Sequence, residues 1–470
     1  HKEYQKHKPI WEKIETVLDG SECGKEAGEK CLPKPSGQTP AEYEAYKKRA
    51  LFYNATRRTL RGLLGFAFRR APVFTVPPAL EGHLLALDAM GRPAVSFARA
   101  LGKEVMAYGR AGLLVDYSGS ETAPGRAYLC LYEAEDIINW RYTMIDGVEV
   151  LTMVVLREHE AIAKDEFEAT EQPLYRVLTL EGGEYHQREY KTEDGRTFKQ
   201  DSDIVPQIAG APLSFLPFIF VGVDDLSCEV GDAPLADLVD VNLSHYATSA
   251  DLEHARHLAG NPTYYTTGVQ NKDAKGNPVV LPVGAGAAWL LPPGATAGIL
   301  TLGADGIGAL MSAITQKEDE MVHLGASFLR AQKREAETAE SMKLQSSGDT
   351  STLALVVGSC EMAMQKAMEW LALWEKESPD SVKVSYSREF FESKLPMTEV
   401  IALLNMLKAL EPESPLSELI TSLLEGGEVL PEAMTAAELI KRLREMAQAK
   451  AQPKTPTPPV EPAQPQPVLQ

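Results

Sequence analysis

PLADLVDVNLSHYATSADLEHARHLAGNP, Pro234 to Pro262, is the most informative segment of the chain. It keeps helical periodicity to about Ala259, and Gly260-Asn261-Pro262 is a strong stop. A Pro- and Gly-rich segment follows, Thr263 to Gly303, holding the β-like runs YYTTGV, PVVLPVG and AWLLPPG. Helical signal returns in GIGALMSAITQKEDEMVHLGASFLR, Gly306 to Arg330. Two long helices therefore bracket a small β module.

Upstream, the pattern is mixed. Ala41 to Gly65 reads as one nearly uninterrupted helix carrying Leu51, Ala55, Leu60, Leu63 and Leu64, and Ala94 to Tyr108 as a second that stops at Gly109. Between Gly112 and Lys199, β-branched and aromatic runs alternate with the turn pairs Asp146-Gly147, Gly182-Gly183 and Asp194-Gly195, which predicts antiparallel hairpins. The run PLSFLPFIFVGV, Pro212 to Val223, is too short for a bilayer and contains Pro217, so it predicts a buried strand leading into a turn. No membrane span and no secretory signal are expected.

Downstream, AQKREAETAESMK leads into a long helix over 338–376, on the order of 55 Å. Its apolar face runs from Leu353 through Val357, Met364 and Leu371 to Trp374. Short helices are expected from Tyr386 to about Ala447, and the Pro- and Gln-rich tail beyond Ala449 has no core. The fold class is α+β.

Composition narrows the chemistry. The chain has 470 residues, 44% hydrophobic and 24% charged, enough for two to four domains with cores. A formal charge of -19 argues against a duplex-clamping protein. Five cysteines are too few and odd in number for a disulfide framework. No metal or cofactor site is predicted, since GxxxxGK[ST] and GxSxG are absent and GADGIG at Gly303 to Gly308 has the wrong spacing. His159-Glu160 starts like HExxH, but Ala163 stands where the second histidine is needed. His254 and His257 share a helix face near Asp251 and Glu253 without an identifiable third ligand, so the alternatives are a metal site and a solvated or inter-subunit helix face. Carboxylates crowd both long helices, with Asp232, Asp237, Asp240, Asp251 and Glu253 on the first and Glu318, Asp319 and Glu320 on the second. Such runs are either water-facing sides or, in a ring, the acidic lining of a channel.

The segments EYEAYKKRALFYNATRRTLRGLLGFAFRR, MAYGRAGLLVDY, EDIINWR and PLADLVDVNLSHYATSADLEHARHLAGNP, taken in this order, resemble the portal proteins of tailed bacteriophages. The closest resemblance is to a branch long described only as a domain of unknown function. It spans about Ile10 to Ala447 and includes no catalytic signature, so no catalytic residue is expected.

The resemblance implies a portal fold: an N-terminal helical segment 1–50, an α/β wing 51–230, stem helices 231–260 and 306–330, and a β-rich clip 261–305. A tunnel loop 331–342, a spine helix 343–377, a helical crown 378–448 and a mobile tail 449–470 complete it. It also implies a homododecamer at one capsid vertex through which double-stranded DNA is packaged and ejected. The implied partners are the terminase large subunit, a head-tail adaptor and the major capsid protein, with no membrane. By position, Asp240, Asp251, Glu318, Asp319 and Glu320 would face the channel, and Lys333 and Arg334 would touch phosphate weakly. Tyr264, Tyr265 and Trp289 would meet the adaptor or terminase, the alternative being local core. The competing functions are a head-to-tail adaptor ring and a metal-dependent hydrolase.

Overall fold

Thr39 and Glu42 start one of the N-terminal helices with a reciprocal cap. Glu42 N donates to Thr39 Oγ1 at 3.3 Å and Thr39 N to Glu42 Oε2 at 2.7 Å, a reciprocal cap for a helix beginning at Pro40. In the computed structural model, residues 1–120, 123–192, 197–261, 263–270, 278, 281–283, 288–300, 304–326 and 339–388 are described, all in the unit His1–Arg388. The expected short helices beyond Arg388, the Pro-rich tail and the Asp194-Gly195 turn lie outside the described residues.

The helices before the first long strand are α1 (Lys2–Asp19), α2 (Ser21–Glu26), α3 (Pro40–Arg49), α4 (Ala55–Ala67), α5 (Glu81–Leu85) and α6 (Ala94–Tyr108), with the short strand β1 (Val73–Thr75) after α4. The single helix expected over Ala41–Gly65 is thus two. Asn54 breaks it: its Oδ1 accepts Arg57 N at 2.8 Å as the cap of α4, while its Nδ2 donates to Val17 O of α1 at 2.7 Å. Leu51 falls in the break and is 61% exposed instead of joining the core. Helix α6 ends as expected at Gly109, whose φ of 73° is left-handed. A Cβ there would lie 2.9 Å from Asp232 O, so only glycine fits.

Strands β2 (Arg110–Ser120) and β3 (Ala123–Glu133) join β11 (Phe218–Gly222) in an antiparallel sheet of order β11-β2-β3. A second antiparallel sheet is a meander of β4 (Ile137–Ile145), β5 (Val148–Ala163), β6 (Ala169–Glu181), β7 (Glu184–Lys191) and β8 (Lys199–Ile204). Two of its turns use the expected residues. Ile145 faces Val148 across Asp146-Gly147, with φ of 49° and 80°, and Glu181 faces Glu184 across Gly182-Gly183, with φ of 60° and 86°. The small pair β9 (Gln207–Ile208) and β10 (Ala211–Pro212) precedes β11, all five of whose residues are buried.

The stretch 234–262 supplies α7 (Ala236–Gly260), and the antiparallel pair β12 (Thr263–Thr267) and β13 (Thr296–Leu300) and helix α8 (Ala304–Met321) follow it. Helix α8 stops short of the expected Arg330. A π-helical turn follows at Val322–Ala326, in which Gly325 takes a φ of 134° that no helix can continue. Residues 327–330 lie outside the described residues. Helix α9 (Ala339–Trp374) matches the expected long helix to within two residues, and β14 (Lys383–Ser385) returns to pair with β1.

Helices α6 and α9 pack on the three-stranded sheet. That sheet and the meander enclose a core containing Leu114, Tyr132, Trp140, Val154, Phe218 and Phe220. Arg110 enters this apolar layer. Its guanidinium lies 3.9 Å from the Trp140 ring centroid and 4.8 Å from that of Phe220, with no hydrogen-bond partner among the described residues. Burial pushes it down to about 10. Cys31, Cys130, Cys228 and Cys360 are free thiols. Among the described residues no helix is long and apolar enough to cross a membrane.

Candidate functional site

The root of α7 is fastened to the break between α3 and α4. Buried Asn242 accepts Thr56 N at 3.1 Å and Thr56 Oγ1 at 3.0 Å, and donates from Nδ2 to Tyr53 O at 2.7 Å. Helix α8 is fastened to α7 by Lys317, whose ammonium donates to Ser244 O at 3.0 Å and to Thr248 Oγ1. These polar ties fix the hairpin where apolar burial is sparse. Of the α8 side chains described, only Met321 is buried.

The acidic candidates divide into two groups. Asp240 and Asp251 lie eleven residues, about three turns, apart and so share one face of α7. That face is turned to the N-terminal helices: Lys13 of α1 donates to Asp240 at 2.7 Å, and Tyr46 of α3 donates to Asp251 at 2.7 Å. Glu318, Asp319 and Glu320 are all exposed at the end of α8, with Glu320 accepting Gln316 Nε2 at 3.0 Å. Consecutive positions fan around the helix, so the three spread negative charge over more than half its circumference. Lys333 and Arg334 lie outside the described residues.

His245 is a member of this site that the sequence reading missed. Its ring is 4% exposed, tilted against Tyr53, and its Nε2 lies 3.8 Å from Glu318 Oε1, too far for a hydrogen bond. Neither ring nitrogen has a hydrogen-bond partner among the described residues. Burial lowers its basicity, Glu318 opposes that and Lys317 reinforces it. Nothing in the local sequence distinguishes His245 from a solvated helix residue, because its burial comes from Tyr53 on another element.

On the β12–β13 ribbon, Tyr264 and Tyr265 are 42% and 43% exposed. Trp289 meets Tyr264 edge to face at 5.9 Å and donates from Nε1 to Pro282 O at 2.6 Å. Tyr265 lies over Gly298, where a Cβ would sit 2.6 Å from the ring. The aromatics thus pack on their own module and still present about two-fifths of each tyrosine outward.

His159 and Glu160 are on strand β5, where neighbours point to opposite faces, and Glu160 is paired with Lys191 at 2.8 Å. His254 approaches Arg49 at 3.2 Å, and burial together with that guanidinium holds it below the usual imidazole range. His257 turns to Asn261 instead. Among the described residues no three His, Cys, Asp or Glu side chains are placed to hold a metal ion.

A family described as a domain of unknown function, DUF4055, matches residues 234–375, less than a third of the chain, and takes in α7, the β12–β13 ribbon, α8 and α9. No curated protein matches the chain. Among solved structures, it is similar to a chain in the neck of a native GTA particle computed with C12 symmetry. That likeness has 14% identity and a TM-score of 0.38, covering 83% of this chain and 95% of that one. It is also similar to a chain in the neck of an empty GTA particle computed with C6 symmetry, at 12% identity and a TM-score of 0.35, covering 86% of this chain and 94% of that one.

Proposed function

We infer that this chain is a structural, non-enzymatic portal subunit. Twelve copies form a ring at a capsid vertex, and double-stranded DNA passes through the bore during packaging and ejection. The observation that carries this reading is the state of α8. It ends in three exposed consecutive carboxylates and buries a single described side chain within its own chain, so it calls for neighbours on its flanks. Acid on the bore side repels phosphate, which lets duplex slide without adhering. A charge of -19 per copy acts in the same sense. The portal reading also accounts for the helix, β-ribbon, helix order followed by a long helix.

On this reading the β12–β13 ribbon, with Tyr264, Tyr265 and Trp289, is the docking end for the terminase large subunit and the head-tail adaptor. The major capsid protein is a further partner. Lys333 and Arg334 make reversible phosphate contacts in the tunnel loop.

The test is native mass with electron microscopy of the purified chain. Twelve copies of 51.4 kDa weigh about 617 kDa and enclose a bore wide enough for duplex DNA. Solitary chains at every concentration, or a closed bore, would falsify the reading. Replacing Lys333 and Arg334 together should change DNA retention and leave ring mass unaltered.

A further inference from the structure

The β5–β6 hairpin ends in a feature that its own fold does not use. Asp165 Oδ1 accepts the backbone N–H groups of Phe167 and Glu168, both at 2.8 Å, and Lys164 N donates to Glu168 O at 2.8 Å. This closed turn holds the Phe167 side chain 92% exposed. An aromatic ring carried on a hydrogen-bonded turn is a partly preorganised anchor, because the backbone is already ordered and only the side-chain rotations remain to be lost on docking. Asp165, Glu166, Glu168 and Glu171 outnumber Lys164 around it. A matching surface is therefore apolar in its floor and carries a cation at its edge.

The chain has such a surface at the other end of the same ribbon. An open groove of about 330 Å³ is lined by Glu149 and Leu151 of β5, Phe215, and Lys366 and Trp370 of α9. The Phe215 and Trp370 rings lie 5.0 Å apart, and Lys366 Nζ stands 5.1 Å over the Trp370 ring. From Leu151 to the end of β5 at Ala163 is twelve residues, which at ~3.3 Å each separates the tip from the groove by about 40 Å. Phe167 therefore cannot fill the groove of its own chain. An anchor and a distinct socket on every copy make a head-to-tail contact that repeats from chain to chain.

We propose that Phe167 of one copy docks in the Phe215–Trp370 groove of a second copy, with the acidic turn over Lys366. This rests on the ring reading and adds the surface that joins neighbours.

The experiment uses the full chain in three forms, wild type, Phe167→Glu and Phe167→Leu, with native mass and melting temperature as readouts. A fourth form pairs Phe167→Cys with Lys366→Cys under mild oxidation, against each single substitution. Phe167→Glu should leave melting of the single chain unchanged and weaken association about thirtyfold, while Phe167→Leu keeps it. The cysteine pair should give a ladder of linked chains that neither single variant gives. Rings that persist in Phe167→Glu at wild-type concentration, without a ladder, overturn the docking and leave the ring reading standing. A ladder from chains that never close into rings overturns the ring and keeps the contact. Solitary wild-type chains with no ladder overturn both.

Discussion

Helices α8 and α9 are both amphipathic, both follow the β12–β13 ribbon in sequence, and are buried to opposite degrees. On α9, Leu353, Val356, Val357, Cys360, Ala363, Met364, Ala367, Met368 and Leu371 are each 4% exposed or less, covered by the three-stranded sheet and α6. On α8 the apolar spacing Ile307, Leu310, Met311 and Ile314 is present, yet all four are half-buried or exposed. The two helices draw their stability from different places. Helix α9 is held by its own chain, whereas α8 keeps an apolar stripe that the described residues leave partly open.

The most forceful way to break this contrast is on α9. Leu371→Ala removes a fully buried side chain and should lower unfolding free energy by about 3 kcal/mol in urea titration. An effect under about 1 kcal/mol would mean that the α9 layer is looser than its burial implies. At the root of α7, Asn242→Ala leaves Thr56 N–H without its buried acceptor and should cost about 2 kcal/mol.

The seam between α1 and the sheets gives a smaller, pH-dependent effect. Burial, and then the carboxylates of Glu15 and Glu12 on α1, push Glu135 up to about 7. A carboxyl whose value is raised on folding contributes stability that is complete below its ordinary value. That contribution is lost as pH climbs through about 7. Between pH 5 and pH 8 the wild type should therefore lose on the order of 1 kcal/mol after solvent screening, and Glu135→Gln should lose less, as read by urea titration at the two values. Equal losses would remove Glu135 from the account.

Least of all, Met311→Ala, at a side chain 49% exposed, should change single-chain stability by less than about 0.5 kcal/mol. If twelve copies form the proposed ring, the same substitution should weaken it measurably. Identical ring stability would show that the stripe on α8 has no outside partner.

Much of the fold was legible because it is written in local signals. Gly109 and Gly260-Asn261 end their helices, Asp146-Gly147 and Gly182-Gly183 turn their hairpins, and apolar periodicity marks α6, α7 and α9. The split at Asn54 was hidden because continuous periodicity on both sides masks a cap whose second bond goes to Val17, far away in sequence. The early end of α8 was hidden because Gly325 is a weak helix breaker on paper and a left-handed one only in its tertiary setting, with Thr59 Cγ2 3.3 Å from where its Cβ would stand. At the site, the exposed carboxylates of α8 followed from composition and spacing. His245 and Phe167 did not, since one is defined by what covers it and the other by what fails to.

The Arg110 guanidinium sits in an apolar layer. A guanidinium prefers water, and here it stays dry only while Trp140 and Phe220 clasp it. The two rings act as a cuff: where either is lost, water has reason to follow the cation into the start of β2, and the edge between Arg110 and Gly222 becomes the place where this layer begins to fray.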